Sequence, residues 1–380
     1  MPSNQKNILE QNQNPNPTQN KSQSQKPKPK PRPRLSPSPR PGNKLSGNIL
    51  CHYDSKKFRK TYHICLSSKN EVMFRSDEDF HRAFNYYALA LHKTDSIGLA
   101  DSFMSNHLHI VVQTSCPETL MYAFRNSYAR YFNLKYHRKG RLGEKRHFCI
   151  ELNGLHHIIA AISYTLRNAM HHGVTATPFG YKHNSANAIF RKELGKTETV
   201  SLLPKKFFHR YIGKHNKIPQ NFMMDTNGLI IRECVTDILL VETFYTTPKA
   251  FNFYMSRKSG SDWEKEQDKD QNGQPPITLA TIEQWTLKHS PEITDINGNI
   301  DGHVLKMLRN EYGRNDYNKI QDTELCSKID SITNTHLHKS SIYQLTAPEK
   351  AKIAEIISRE HFVPTNQLHR CLAINYNGHN

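Results

Sequence analysis

From Thr61 onward, apolar and polar residues follow two distinct periods. Tyr62-His-Ile-Cys-Leu66 alternates and predicts a strand, whereas Asp77 to His92 carries an apolar face at helical spacing behind an acidic start. Gly98 to Met104 predicts a second strand. It leads into Asp101-Ser-Phe-Met-Ser-Asn-His-Leu-His-Ile-Val-Val-Gln113, where a strand would set His107 and His109 on one face and Leu108, Ile110 and Val112 on the other. Helical periodicity then runs from Pro117 to about Tyr136 and from about Leu155 to His171, with Gly173 in a helix-stop position. Strands interleaved with helices predict an α+β fold, a sheet with helices packed on it rather than a doubly wound parallel sheet.

Outside this stretch the pattern weakens. Residues 1–48 hold ten prolines among Asn, Gln, Ser and Lys, including Lys26-Pro-Lys-Pro-Lys-Pro-Arg-Pro-Arg34, and are expected to form a disordered basic tail. Residues 49–185 form the expected catalytic domain and 186–345 a second globular region. In that region strand-like pieces fall near Gly228 to Ile231 and Ile238 to Tyr245, with a helical stretch near Val304 to Tyr312. Lys258 to Pro276 reads as an exposed loop. Asn297-Gly-Asn-Ile-Asp301-Gly302 imitates a calcium loop, but its twelfth position is Leu308 where a bidentate Glu is required. At 346–380 Thr346 and Pro348 open one helix and Pro364-Thr365 a second. The pair resembles part of a helix-turn-helix that would offer Arg359, His369 and Arg370 to phosphate, or else a plain helical cap.

Charge narrows the partners. Fifty-two Lys and Arg against 34 Asp and Glu give a formal +18 over 380 residues. The tail contributes nine basic residues against Glu10, so the remainder keeps +10, which favours a polyanion, nucleic acid first. Seven scattered cysteines without a CxxC pair indicate neither a disulfide framework nor a zinc ribbon and fit a reducing cytoplasm. No apolar run approaches the roughly 18 residues of a membrane span, and no membrane partner is expected.

The candidate chemistry lies in the two histidines and a later helix. Tyr164 and Asn168 stand four apart, hence on one helix face, and would supply a hydroxyl nucleophile and one further oxygen ligand beside His107 and His109. A metal-assisted phosphoryl transfer follows from that combination. Val111 excludes both an HxHxD binuclear hydrolase and a histidine-triad hydrolase. Chance remains the rival explanation for an HxH pair in a chain with 22 histidines, and a half-buried core tyrosine is the rival for one of 17 tyrosines. Asn168 weighs against it, since a poor helix former placed there gains most from a task for its side-chain oxygen. Arg125, Arg130, Lys135, Arg138, Lys139, Arg141, Lys145 and Arg146 form the densest basic run of the folded part, interleaved with Tyr128, Tyr131, Phe132 and Tyr136. The basic side chains are assigned mostly to DNA and the aromatics mostly to core.

Three ordered segments resemble the single-tyrosine HUH transposases of the insertion-sequence 200/605 superfamily, and within it the REP-associated tyrosine transposases. They are Phe103-Met-Ser-Asn-His-Leu-His-Ile-Val-Val112, Tyr128 to Tyr136 followed by Arg138-Lys-Gly-Arg141, and Tyr164-Thr-Leu-Arg-Asn168-Ala-Met-His-His-Gly173. The resemblance covers about residues 60 to 183. It implies a ferredoxin-like antiparallel sheet with packed helices, here followed by a C-terminal mixed and helical extension. It further implies that His107, His109 and Asn168 hold one divalent cation, magnesium or manganese. Tyr164 would attack a phosphate of single-stranded or hairpin DNA, leaving a 5′-phosphotyrosine and a 3′-hydroxyl, in a protein that acts as a homodimer. Leu142-Gly-Glu-Lys-Arg-His-Phe148 departs from the family pattern, so substrate recognition has room to differ. The rival functions are a domesticated hairpin-binding regulator without strand transfer and a plasmid-type replication or mobilisation nickase.

Overall fold

The computed structural model describes residues 58–196, 200–214, 216–256 and 320–374. The expected tail at 1–48, the loop at 258–276, the helix at 304–312 and the turn-rich segment at 297–308 lie outside them.

Four strands make one sheet: β1 (Lys60–Ser67), β2 (Ile97–Phe103), β3 (His107–Thr114) and β4 (Phe148–Glu151). Their spatial order is β2-β3-β1-β4 with every neighbouring pair antiparallel. Helix α1 (Asp77–Lys93) joins β1 to β2 and α2 (Pro117–Lys135) joins β3 to β4, so each crossover spans one intervening strand. This is the ferredoxin-like β-α-β-β-α-β arrangement. The expected strands and helices of residues 60–171 are thus present, and β4 is added at the sheet edge.

Strand register decides what the sheet presents. Cys65 lies opposite His109 and Ser67 opposite His107. With a side-chain period of two, His63, Cys65, His107 and His109 share one face. Ile64, Leu66, Leu108, Ile110 and Val112 take the other and form a core with α1 and α2. Helix α3 (Leu155–His171) covers the histidine face, where its Ala160, Ile162 and Leu166 meet Val111, Leu99 and Ala100. Gly173 follows with φ 66°, the left-handed stop that its position predicts.

Helix α1 begins at Ser76, whose side chain and that of Asp79 form a reciprocal capping box. Asp79 is fully buried. Its carboxylate also accepts from the hydroxyls of Tyr131 (3.0 Å) and Tyr136 (2.7 Å) and from the Lys135 ammonium (2.8 Å), which ties the end of α2 to the start of α1.

Beyond α3 come a short α4 (His209–Ile212), α5 (Ile238–Tyr245) and α6 (Pro248–Ser256). The strand expected over Ile238 to Tyr245 is therefore a helix. Asp237 caps it by accepting from Leu240 N, and Val241 and Tyr245, four apart, take the buried side. Its apolar run is continuous, not alternating, and so does not carry the period of a half-buried strand. Gly228 to Ile231 forms a turn with one isolated bridge from Met224 to Ile230, outside the main sheet. Buried Asn85 fixes that turn, donating to Gly228 O (2.7 Å) and accepting from Ile230 N (2.8 Å). Gly228 has φ 83°, and a Cβ there would lie 2.0 Å from the Tyr211 ring. Gly228→Ala is expected to cost about 2–3 kcal/mol, read as a lower urea midpoint.

The chain closes with α7 (Asp322–Leu337), α8 (Ala347–Glu360) and α9 (Thr365–Cys371), which share a core with Val72. Thr346 and Glu349 cap α8 reciprocally.

Candidate active site

The histidine face of the sheet and α3 enclose a cluster drawn from three elements. His107 is oriented by its neighbour: its Nδ1 donates to Asn106 Oδ1 (2.8 Å), leaving the Nε2 lone pair facing Asn168 Nδ2 at 2.9 Å. Asn168 Oδ1 is buried without a hydrogen-bond partner. His109 Nδ1 lies 3.1 Å from His63 Nε2 with the two rings parallel, and its Nε2 lies 3.9 Å from Cys65 Sγ. The Tyr164 ring stands edge-on to His109 at 5.4 Å and to His63 at 6.1 Å, and stacks on His171 at 5.5 Å. His172 approaches His107 to 4.9 Å.

Burial sets the protonation of this group. It pushes His63 down to about 4 and holds His107, His109 and His171 well below the ordinary imidazole range, so all four are neutral at pH 7. The neighbouring imidazoles push His107 and His109 further the same way. Burial also pushes the Cys65 thiol up to about 12, which keeps it protonated and removes it as a nucleophile.

The structure thus brings together Tyr164, His107, His109 and Asn168. His63, Cys65, Asn106, His171 and His172, none of them among the expected site residues, complete the cluster. A signal for His63 and Cys65 existed: they occupy the inward positions of a strand whose other face is Tyr62, Ile64 and Leu66.

Does this donor set fit a divalent cation? Neutral imidazoles offer lone pairs, Asn106 fixes the His107 tautomer as an outer partner should, and the amide of Asn168 has an unpartnered oxygen. The His107 nitrogen stands 2.9 Å from the amide nitrogen of Asn168, so a half-turn of the carboxamide would set its oxygen in that place and leave both lone pairs to an ion. The residues fit. Among the described residues no three His, Cys, Asp or Glu side chains form a cage of their own.

The basic run divides in two. Arg125 donates to the carbonyls of Glu144 and Lys145, Lys135 is held by Glu78 and Asp79, and Arg138 is paired with Glu71 and donates to the carbonyls of Gly140 and Arg141. These three build the turn after α2. Arg130, Lys139, Arg141, Lys145 and Arg146 are exposed. Glu144 N donates to Ser67 O, and Ser67 is opposite His107 in the sheet, so this turn passes the sheet edge nearest the cluster. Tyr128, Phe132 and Tyr136 are buried as expected.

Of the three C-terminal candidates for phosphate, Arg370 is committed elsewhere. It grips Asp322 with two nitrogens (2.7 and 2.9 Å), while Arg359 is exposed beside Glu355 and His369 lies on α9. Asp322 also accepts from Gln367 (2.9 Å) and from Ser105 Oγ (2.6 Å), two residues before His107. Arg75, fully buried, adds a bond to Cys371 O (2.7 Å) and an ion pair to Asp330. Removing Asp322 strands a mostly buried guanidinium. Asp322→Ala is expected to cost about 3–5 kcal/mol, measured by chemical denaturation.

All six cysteines among the described residues are free thiols. No helix among them is long and apolar enough to cross a membrane.

An α+β protein with a four-stranded antiparallel sheet, and a His-His-Tyr-Asn cluster on one face of it, is what the fold and site define. No protein-family model matches the chain, and no curated protein matches it. Among solved structures, one similar chain is described as a REP-associated tyrosine transposase bound to a REP hairpin. It is 10% identical, spans 37% of this chain and 81% of that chain, and superposes with a TM-score of 0.31. A likeness this loose leaves function to be argued from the side chains.

Proposed function

We propose that the protein nicks and rejoins single-stranded, hairpin-flanked DNA through a covalent 5′-phosphotyrosine on Tyr164, as a transposase does. The observation that carries this reading is the convergence on one spot of Tyr164, whose ring is 5.4 Å from His109, and Asn168, one turn along α3 and 2.9 Å from His107. A phenol, two neutral imidazoles and a carboxamide oxygen are the parts that phosphoryl transfer by a tyrosine requires.

In the reaction the Tyr164 oxygen attacks phosphorus, the Tyr–O–P bond forms, and the P–O3′ bond breaks. The departing 3′-oxygen takes up a proton and becomes a free hydroxyl. The phenol proton is lost as the bond forms; His63 and His171 adjoin the ring as neutral imidazoles, weak bases because burial disfavours their protonation. The ester conserves the energy of the broken bond, so attack by another 3′-hydroxyl reseals DNA without ATP. A divalent cation, magnesium or manganese, held by His107, His109 and Asn168 would supply Lewis-acid polarisation of the phosphate. Exposed Arg141, Lys145 and Arg146 beside the cluster would take neighbouring phosphates. The protein would act as a homodimer in the cytoplasm.

A second reading, a hairpin-binding regulator without strand transfer, is favoured by the closure of the cluster, where Tyr164 is only 4% exposed. The test is incubation of the full chain with labelled hairpin DNA carrying single-stranded flanks, with magnesium or manganese, followed by denaturing electrophoresis. A protein-linked band whose labelled peptide contains Tyr164 supports transfer. Binding in a shift assay with no such band leaves the regulator.

A further inference from the structure

The segment Leu203 to Phe222, outside the stretch that carries the candidate chemistry, presents a second basic surface. Between residues 200 and 224 the chain has Lys205, Lys206, Arg210, Lys214 and Lys217 and no Asp or Glu. All five are exposed, and among the described residues none is paired with a carboxylate. The contrast with the turn after α2 is direct, since Lys135 and Arg138 there are neutralised by Glu78, Asp79 and Glu71.

The segment is rigidly seated. Phe208 and Ile212 are buried in the core formed with α1 and α2, and Arg82 lies over the rings of both Tyr131 and Tyr211 (5.3 and 5.7 Å). Between the cations sits Phe207, half-buried, with Lys206 Nζ 5.1 Å and the Arg210 guanidinium 4.6 Å from its ring centre. Uncompensated like charges on a fixed framework repel one another, a cost that a polyanion removes on binding. Cations flanking an aromatic face are the arrangement that holds a single strand, phosphates on the ammonium groups and a base against the ring.

We infer that Lys205, Lys206, Phe207, Arg210, Lys214 and Lys217 form a second binding site, for single-stranded nucleic acid. It lies on the sheet face opposite α3, so the strand it holds is remote from the phosphate near Tyr164. The inference rests on the proposed function only for the class of partner.

The test measures binding of the full chain to a fluorescein-labelled 30-nucleotide single strand by anisotropy across a series of KCl concentrations. Lys206→Ala with Arg210→Ala is expected to reduce the steepness of log K against log salt by about 1.4, two contacts at about 0.7 each. Phe207→Ala is expected to weaken binding about tenfold without changing that slope. Lys249→Ala with Lys352→Ala, exposed on α6 and α8, serves as control and should change neither. An unchanged slope in the double variant, or an equal fall in the control, overturns the site. So does loss of binding to phosphatidylglycerol vesicles with DNA binding intact, which would assign the surface to lipid. A Tyr164 adduct formed alongside an unchanged slope sinks this site and leaves the nickase; patch-dependent binding with no adduct does the reverse.

Discussion

Tyr164→Phe is expected to abolish the protein–DNA adduct while leaving the fold and hairpin binding intact. The substitution removes one oxygen from a ring buried against His109, His63 and His171, and keeps the ring and its packing. Phenylalanine has no atom that can form the ester, so the loss is complete rather than graded, beyond 10³-fold by any gel that detects a thousandth of the wild-type band. Melting temperature and shift-assay affinity should stay near wild type, which separates this result from a folding defect. Asn168→Ala should behave differently. It leaves the nucleophile in place and removes the His107 contact, so residual adduct that rises with metal concentration is expected. An adduct of normal yield from Tyr164→Phe would sink the assignment of the nucleophile.

Acid is expected to unfold the protein well above the pH at which its carboxylates protonate. His63 titrates near 4 in the folded state against an ordinary 6.5, because burial penalises the imidazolium. Above pH 6.5 neither state holds the proton and stability is unaffected. Between 6.5 and 4 the unfolded chain takes up a proton that the folded chain refuses, so stability falls as pH falls, by about 1.4 kcal/mol per pH unit and roughly 3 kcal/mol in all for this one group. His183, also pushed down to about 4 by burial, acts in the same window, and His107, His109 and His171 shift in the same direction. Against a typical net stability of about 5–15 kcal/mol the His63 and His183 contributions alone are large. The urea midpoint should drop steeply from pH 7 to pH 5. His63→Leu should make the decline shallower by about 1.4 kcal/mol per unit across that window. A midpoint that is flat from pH 7 to 5 would mean that the imidazoles are protonated within the fold.

Much of the core was legible because its periods are clean. The His107 strand shows alternate positions buried on two different faces, and α2 and α3 begin and end where Pro117, Leu155 and Gly173 predict. β4 was not legible: four half-buried residues at a sheet edge carry too little alternation to stand out, and only pairing with β1 defines them. At α5 the short apolar run fits a strand or a helix equally, and only burial of Val241 and Tyr245, four apart, decides for the helix. His63 carries no signal by itself, since one imidazole in a strand has no partner until register places Cys65 opposite His109. The basic run could not be divided in advance, since Glu71, Glu78 and Asp79, which engage Arg138 and Lys135, lie more than 50 positions away in the chain.

The bond from Ser105 to Asp322 joins residues 217 positions apart. Synthesis runs from the N-terminus, so the strand bearing His107 and the helix bearing Tyr164 both leave the ribosome long before Asp322, Gln367 and Arg370 exist to brace the turn ahead of His107. Of the contacts described around the cluster, this brace waits longest for its partners to be made. A nascent chain therefore carries every chemical group of the site without its final support, and a chain truncated before residue 322 should keep the nucleophile and lose the alignment.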